Sequence, residues 1–253
     1  MYGWRGRIGY ITTETGERGT MEIMRLLPEG VVLNVSTLPK NVANFDEQTL
    51  VSAIRQLVHR GVDCIIFACT PRVVNEEYGT EDDLIRRLGE ISEKIVTTTT
   101  RAATEALKAL AINKVLLSTS FDEADTMNIK KYLEKYGFQV PFAKYLENCD
   151  VLKKALGVAY GMPEADYEHN NWITLLPEDF FFHQGKRAFF SHPDVDGIYS
   201  PCVQWVTNEM LVLLEKEIKR PVVASTVTSV WWALKALNIN EQISGRGMLL
   251  ETL

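Results

Sequence analysis

Two blocks in the first half of the sequence recur, in the same order, in its second half. Residues 62–69 and 195–202 share Val, Asp, Ile and Cys, and Cys69 lies 133 positions before Cys202. Residues 96–110 and 223–237 both end in the string ALKAL, and Leu110 lies 127 positions before Leu237. Ordered blocks at nearly equal spacing indicate a duplicated structural unit. We therefore place a boundary near residue 112.

Short β-branched runs alternate with amphipathic segments along the whole chain. The strands are predicted at residues 8–12, 31–35, 64–68, 95–97, 115–118, 137–143, 197–200 and 222–224. Between them, apolar residues recur at helical spacing, as in Ile129, Leu133 and Tyr136. This alternation is typical of parallel sheets covered by helices, so the fold class is α/β. We predict halves at 1–112 and 113–219, with segment 220–253 as a candidate to pack against the first half.

The charge balance and apolar content exclude several classes of protein. The 253 residues include 27 Lys and Arg against 33 Asp and Glu, a net charge of −6, and 46% are hydrophobic. That hydrophobic content excludes a disordered chain, and the acidic balance argues against a nucleic-acid partner. No signal peptide is evident, and the most apolar stretch, residues 222–237, contains Ser, Thr and Lys. We expect a cytoplasmic protein without a membrane partner.

The four cysteines are too sparse for a disulfide scaffold, and none lies in a C-x-x-C pair. Cys69 and Cys202 follow equivalent strands of the two halves, whereas Cys64 lies inside a strand and Cys149 in a polar stretch. Parallel sheets bind ligands at the carboxyl ends of their strands, and the N-terminus of a following helix lowers a thiol pKa. Pro71 suits the first turn of such a helix.

Two halves that face each other would place a thiol on each side of one substrate. Such a pair can remove a proton from one face and deliver one to the other, or combine nucleophilic attack with protonation. Cys69 and Cys202 are therefore the candidate catalytic residues. We interpret Cys64 as a packing residue and assign Cys149 no role.

Threonine and serine clusters follow other predicted strands. Hydroxyls and free backbone N–H groups at strand-to-helix turns are suited to binding a carboxylate, but Ser and Thr are also preferred helix N-caps. Both roles stay open at these positions. The candidate contacts from this pattern are Thr98, Thr99, Thr119 and Thr226.

The histidines and glycines give no support for a metal ion or a nucleotide cofactor. The sequence contains neither an H-E-x-x-H motif nor a Gly-rich phosphate-binding loop. We therefore expect cofactor-free chemistry. His183 or His192 is an alternative contributor to the site. Arg72 and Arg101 are interpreted as surface helix residues, with cationic help to the site as the alternative.

Motifs spread over nearly the whole chain resemble one superfamily. They are Arg7-Ile8-Gly9, Thr20-Met21-Glu22, Phe67-Ala68-Cys69-Thr70, Val96-Thr97-Thr98-Thr99, Ser118-Thr119-Ser120-Phe121, Ser200-Pro201-Cys202 and Ser225-Thr226 with Trp231. In this order they are similar to the maleate cis–trans isomerase and arylmalonate decarboxylase branch of the aspartate/glutamate racemase superfamily. The resemblance implies two pseudo-symmetric Rossmann-like domains. Each would hold a mainly four-stranded parallel sheet flanked by helices, with a cofactor-free active site in the cleft between the domains.

The resemblance also implies roles for the two cysteines. In maleate isomerases the residue matching Cys69 attacks an alkene carbon, and the one matching Cys202 protonates the neighbouring carbon. In racemases the same thiols are opposed acid and base, and arylmalonate decarboxylases usually keep only the second thiol. Retention of both favours an isomerase or a racemase. The resemblance adds further substrate-binding candidates, namely Thr12, Thr70, Phe121 and Val203.

The sequence departs from the isomerase pattern at three carboxylate-binding positions. The loop after the first strand, residues 12–19, is longer than the usual Ser-Ser-Asn-Thr-Thr type and lacks an asparagine. The tyrosine common after the fifth strand is Phe121, and the Ser-Asn pair of the second half is Ser225-Thr226. One hydroxyl and two amides are therefore replaced, which argues against maleate itself.

Together, the residues and the resemblance predict a function. We predict a cofactor-independent isomerase acting next to a carboxylate, with cis–trans isomerisation of a maleate-like dicarboxylate as the leading reaction. The alternatives are racemisation or decarboxylation of another, aryl- or alkyl-substituted, carboxylic acid, and a non-catalytic carboxylate-binding protein. The resemblance further implies a homodimer.

Overall fold

The computed structural model describes residues 2–13, 16–39, 47–162 and 172–253. The first half contains β1 (Gly6–Thr13), α1 (Glu17–Leu26), β2 (Val31–Leu38), α2 (Glu47–His59), β3 (Cys64–Phe67), α3 (Thr70–Val74), α4 (Glu81–Ser92), β4 (Ile95–Thr98) and α5 (Thr99–Ala109). The second contains β5 (Lys114–Ser118), α6 (Glu123–Lys135), β6 (Gln139–Lys144), α7 (Cys149–Ala159), α8 (Glu178–Ser191), β7 (Gly197–Ser200), α9 (Asn208–Ile218), β8 (Val222–Ala224) and α10 (Ser225–Ala236). Short 3₁₀ helices span Trp172–Leu175 and Leu250–Thr252.

The strands form two parallel sheets with the same connectivity. The first sheet has the order β2-β1-β3-β4, and the second has the order β6-β5-β7-β8. Each of the eight predicted runs overlaps a strand, so the α/β class and the paired four-stranded sheets are confirmed. The equivalence of β3 with β7 is the structural form of the sequence repeat.

The central strands explain why the cysteine motifs follow apolar runs. All four residues of β3 and all four of β7 are buried, as expected for strands covered by helices on both faces. Ile11 pairs with Phe67 at the carboxyl end of the first sheet. The turns after β1 and β3 therefore leave the sheet at the same edge, where the order reverses and ligands bind.

The last segment of the chain joins the two halves. Residue 219, predicted as the end of the second half, directly follows α9, and the second sheet takes its edge strand, β8, from beyond it. The next helix, α10, packs against α5 and α1 of the first half. The repeated ALKAL strings begin in helices α5 and α10, and the first alanine of each string, Ala106 or Ala233, is fully buried. These small side chains let the two helices approach closely.

A buried carboxylate also ties the halves together. Glu81, at the start of α4, accepts hydrogen bonds from two hydroxyls of the other half, those of Tyr132 on α6 (2.7 Å) and of Tyr136, which directly follows α6 (3.2 Å). Within its own half it accepts from Thr98 Oγ1 and from Arg101 Nη2, at 3.1 Å. Because the Glu81 side chain is only 6% exposed, its charge depends on these partners.

Glu81→Gln is expected to lower the free energy of unfolding by about 3 kcal/mol, because it removes the buried anion that pairs with Arg101 and leaves that guanidinium with the exposed Asp82. Urea unfolding measures the change. The control is Glu90→Gln, which removes an exposed ion pair with Arg86 and is expected to cost less than about 1 kcal/mol. Equal losses in the two variants would show that the Glu81 cluster does not join the halves.

Candidate active site

A cleft of about 370 Å³ lies where the carboxyl ends of the two sheets meet. Both Cys69 and Cys202 line it, so the structure brings the two predicted catalytic residues to one cavity. A cavity of about 410 Å³ lies elsewhere, beside His192, but no cysteine lines it. The cleft is therefore the candidate active site.

Cys69 follows β3 by two residues and stands at the N-cap of α3, with Pro71 in the first turn as predicted. The guanidinium and the backbone N–H of Arg72 both favour the ionised form of the thiol. Burial nevertheless raises the pKa of Cys69 to about 11. The net shift is therefore upward and not downward as expected, because desolvation outweighs the backbone N–H and the guanidinium of Arg72, which both lower the pKa.

Cys202 follows β7 by the same two residues, but its backbone differs. Its φ of 92° is rare for a non-glycine residue, and such strain costs on the order of 1–3 kcal/mol. Burial raises the pKa of its thiol, while Ser120, the backbone N–H of Gln204 and the positive charge of Arg18 oppose the increase. Strain at a residue that lines the cleft is consistent with a functional role.

The predicted substrate contacts separate into two groups. The residues that line the cleft beside the cysteines are Thr12, Thr70, Phe121 and Val203. The residues that do not line it, and are at most 1% exposed, are Thr98, Thr99, Thr119 and Thr226. The second group lies in the interior below the cleft.

Hydrogen bonds account for two of these interior hydroxyls. Thr98 Oγ1 accepts from the backbone N–H of Arg101 at 2.9 Å and donates to Glu81, so this residue is the N-cap of α5. Thr119 Oγ1 lies 2.6 Å from Thr126 Oγ1 on α6. The hydroxyl groups of Thr98 and Thr119, which the sequence indicated as candidate substrate contacts, are therefore hydrogen-bonded to neighbouring residues.

Arg72 is the main residue whose placement the sequence interpretation missed. It was interpreted as a surface helix residue, but it is only 8% exposed and lines the cleft. The short helix α3 lies in the interior and turns this side chain toward the cavity. Its position three residues after Cys69 was a usable signal, since Cys69 is the N-cap and Arg72 lies in the first helical turn. Arg101 instead pairs with Glu81 and Asp82 and does not line the cleft.

Tyr10 and Arg18 also lie close to the thiols. Tyr10 is fully buried in β1, and this burial raises its pKa, with negative charge on Cys202 or Cys69 raising it further. It precedes Thr12 by two residues and so shares a face of the strand with it, which is the signal that was missed. Arg18 donates its backbone N–H to Gln204 Oε1 at 3.1 Å, a contact between distant parts of the chain.

The other candidates lie away from the cleft. His192 stacks on Phe142 with ring centroids 3.7 Å apart, and the His183 side chain is 57% exposed. Neither histidine lines the cleft that contains Cys69 and Cys202. Cys64 is buried inside β3, and Cys149 donates to the carbonyl of Leu146. Among residues 2–13, 16–39, 47–162 and 172–253, no three His, Cys, Asp or Glu side chains form a group that could hold a metal ion. No helix in these ranges is long and apolar enough to cross a membrane.

Gly19, on α1, packs directly against the turn that holds Cys202. A Cβ atom at this position would lie 2.7 Å from Val203 Cβ and 2.8 Å from Val203 O. Gly19→Ala is therefore expected to displace the Cys202 turn and to lower kcat/KM by about 10- to 100-fold, because small misplacements of reacting groups are costly. The matched control is Gly89→Ala on α4, where the nearest atom would be 3.8 Å away. Unchanged kcat/KM in Gly19→Ala would contradict this role of the packing.

Comparison with known proteins places this geometry among solved structures. No protein-family model and no curated protein matches the sequence. A crystal structure of arylmalonate decarboxylase matches with a TM-score of 0.77 at 19% identity, covering 98% of this chain and 100% of that one. The maleate isomerase Iso from Pseudomonas putida S16 matches with a TM-score of 0.77 at 20% identity, covering 97% and 98%.

A third structure is a cysteine-to-serine mutant of the Nocardia farcinica maleate cis-trans isomerase with a covalently bound succinylcysteine intermediate. It matches with a TM-score of 0.75 at 19% identity, covering 97% of this chain and 98% of that one. All three likenesses span nearly the full length of both chains. The fold predicted from the sequence motifs is thereby confirmed: this chain has the fold of arylmalonate decarboxylase and of the maleate isomerases.

Proposed function

We propose that this protein is a cofactor-independent enzyme that acts on a carbon next to a carboxylate, with cis–trans isomerisation of a maleate-like dicarboxylate as its reaction. One observation carries the proposal: Cys69 and Cys202 each follow equivalent strands of the two sheets by two residues and line one cleft. A thiol from each half provides a nucleophile and an acid for the same small substrate.

The reaction follows from these two groups. The thiolate of Cys69 adds to one alkene carbon, a C–S bond forms, and the π electrons take a proton from the Cys202 thiol at the neighbouring carbon. The former double bond is now single and rotates. The Cys202 thiolate then removes a proton from that carbon, the double bond re-forms, and Cys69 leaves as the thiolate. The two thiols share one proton throughout the cycle, and the substrate neither gains nor loses an atom.

Other residues of the cleft support this assignment. The backbone N–H groups of Arg72 and Gln204 favour the ionised forms of the Cys69 and Cys202 thiols, respectively. The hydroxyl-bearing residues Thr12 and Thr70 line the same cavity and are suited to a carboxylate. A solved structure of the same fold holds a succinylcysteine intermediate, which supports covalent cysteine chemistry on this scaffold.

The alternative reaction is racemisation or decarboxylation of a larger carboxylic acid by the same thiols. Phe121 and Ile173 give the cleft an apolar wall, which favours an aryl or alkyl substituent on the substrate. Phe121 also replaces the tyrosine expected at this position. The fold of arylmalonate decarboxylase is compatible with this alternative.

Proton NMR in D₂O distinguishes these reactions. The wild-type protein is incubated separately with maleate, methylmaleate, phenylmalonate and mandelate, with a Cys69→Ser/Cys202→Ser double variant as the control. We expect conversion of a cis-diacid to its trans isomer. Deuterium exchange of mandelate without isomerisation of the diacids would indicate a racemase, and loss of CO₂ from phenylmalonate a decarboxylase. No conversion and no exchange with any acid would contradict the enzyme proposal and favour a binding protein.

The proposed setting is the cytoplasm, and the proposed assembly is a homodimer. The four cysteines are free thiols, which supports a reducing compartment. The homodimer comes from the sequence resemblance alone, and light scattering of the purified protein tests it. A monomer at micromolar concentration would contradict this part of the proposal.

A further inference from the structure

Arg72 presents a fixed positive charge to the cleft. Its Nη1 donates to the hydroxyl of Tyr78 at 2.6 Å and to the carbonyl of Pro39 at 3.2 Å. Tyr78 in turn packs edge-on against Phe67, with ring centroids 5.2 Å apart and an interplanar angle of 81°. Because Phe67 is the last residue of β3, the guanidinium is anchored to the strand that leads to Cys69. Its position does not depend on a bound substrate.

The charge of this guanidinium is only partly compensated. Within the described part of the chain, its ion-pair partner is Glu77, with 3.6 Å between Arg72 Nε and Glu77 Oε2. That separation is too long for a normal hydrogen bond. The Glu77 side chain is 29% exposed and lines the same cleft. A loosely held carboxylate thus occupies the position beside Arg72.

The position of Arg72 is suited to binding a diacid. Arg72 lies three residues after the nucleophile, in the short helix that Cys69 caps. The sequence has lost an asparagine, a tyrosine hydroxyl and a second amide that bind carboxylates in the isomerases it resembles. A guanidinium offers paired N–H donors in a fork that fits a carboxylate, so one such group can replace several neutral donors.

We propose that Arg72 binds one carboxylate of a dianionic substrate and that Glu77 occupies the same place in the free protein. This inference rests on the proposed function, because it identifies the residue that selects a dicarboxylate over a monocarboxylate. It predicts effects of opposite sign at two neighbouring residues. Removing the charge of Arg72 weakens binding of a diacid, whereas removing the charge of Glu77 strengthens it.

The test uses two unreactive acids of equal carbon number, succinate and butyrate. Neither contains a double bond, so their affinities are independent of catalysis. NMR titration of the full chain gives the dissociation constants. In Arg72→Met, we expect succinate affinity to fall about 10- to 100-fold, the value of a lost charge-assisted hydrogen bond, while that of butyrate changes much less. Glu77→Gln is expected to bind succinate several-fold more tightly.

Other outcomes would overturn the inference. The first is a wild-type protein that does not prefer succinate to butyrate. The second is an equal loss of affinity for both acids in Arg72→Met, and the third is weaker succinate binding in Glu77→Gln. Arg72→Lys keeps the charge and is expected to retain part of the preference, which covers the case in which Arg72→Met fails to fold. If the cysteine variants keep full turnover while succinate still depends on Arg72, the proposed reaction fails and this inference stands. If the cysteine variants lose turnover while succinate binding does not depend on Arg72, the proposed reaction stands and this inference fails.

Discussion

Replacement of Cys69 by serine is expected to reduce isomerisation of a cis-diacid by about 10³-fold or more, because the nucleophile is lost. A serine hydroxyl has nearly the same shape, but it ionises far less readily than a thiol and has no general base assigned to it in the cleft. The thiol of Cys69 also benefits from the Arg72 backbone N–H, a contact that serine retains. The loss therefore reports sulfur chemistry and not a change of packing. Steady-state assays of the trans product measure it.

Cys202→Ser is expected to lose turnover by a similar factor but to differ from Cys69→Ser in one respect. With Cys69 intact, the diacid still adds to the protein, with water supplying the proton to the neighbouring carbon, and intact-mass spectrometry should detect an increase of one diacid. Cys69→Ser should show no such adduct. Cys149→Ser is the matched control, since this thiol lies at the start of α7 outside the cleft, and its turnover should be unchanged. Full turnover in Cys69→Ser would exclude the two-thiol mechanism.

The fold and the cysteine pair were predictable because both depend on local patterns. Residues 64–67 form a short apolar run, and residues 197–200 follow the same Val-Asp pair that precedes that run, so both were predicted as strands without knowledge of their neighbours. The repeat then relates the two strands by pseudo-symmetry. Cys69 and Cys202 follow these strands by the same number of residues. The sequence alone therefore predicts that each lies at the carboxyl end of its own sheet, where the cleft is.

The substrate contacts were less predictable because the strand-end rule does not say which strand ends remain open. Thr98 follows the rule, yet α4 brings Glu81 over its hydroxyl, and the pairing of Glu81 with Tyr132 joins segments 51 residues apart. Ile173 lines the cleft from a short helix far from either cysteine motif. Such contacts depend on tertiary packing and leave no local periodicity.

The thiol pKa values could not be predicted from the sequence either. A cysteine at a helix N-terminus suggested a lowered pKa, but the sequence contains no measure of desolvation. Burial raises the pKa of Cys69 from 9.0 to about 11 and also raises that of Cys202. Since ionisation of one thiol raises the pKa of the other, the pair loses its two protons in separate steps. The reactive form holds one proton, as the addition mechanism requires.

This coupling predicts an alkaline optimum. Near pH 7 both thiols are protonated, and the reactive form becomes about tenfold more abundant with each pH unit. We therefore expect kcat/KM to be roughly 100-fold higher at pH 9 than at pH 7 and to fall again once the second thiol ionises. The carboxylates of the substrate are already ionised over this range, so the rising limb belongs to the protein. Steady-state kinetics between pH 6 and about 11 measures the profile.

Arg72→Met provides the internal test of this pH assignment. Its guanidinium favours the ionised form of Cys69, so its removal should shift the rising limb to higher pH as well as weaken diacid binding. Arg86→Met, which changes an exposed arginine on α4, should leave the limb in place. Because the pH dependence of kcat/KM reports ionisations of the free enzyme, weaker binding lowers the whole profile, whereas a changed thiol pKa moves its rising limb. A profile that is flat between pH 7 and 9 would mean that neither thiol must ionise, and the addition mechanism would then be wrong.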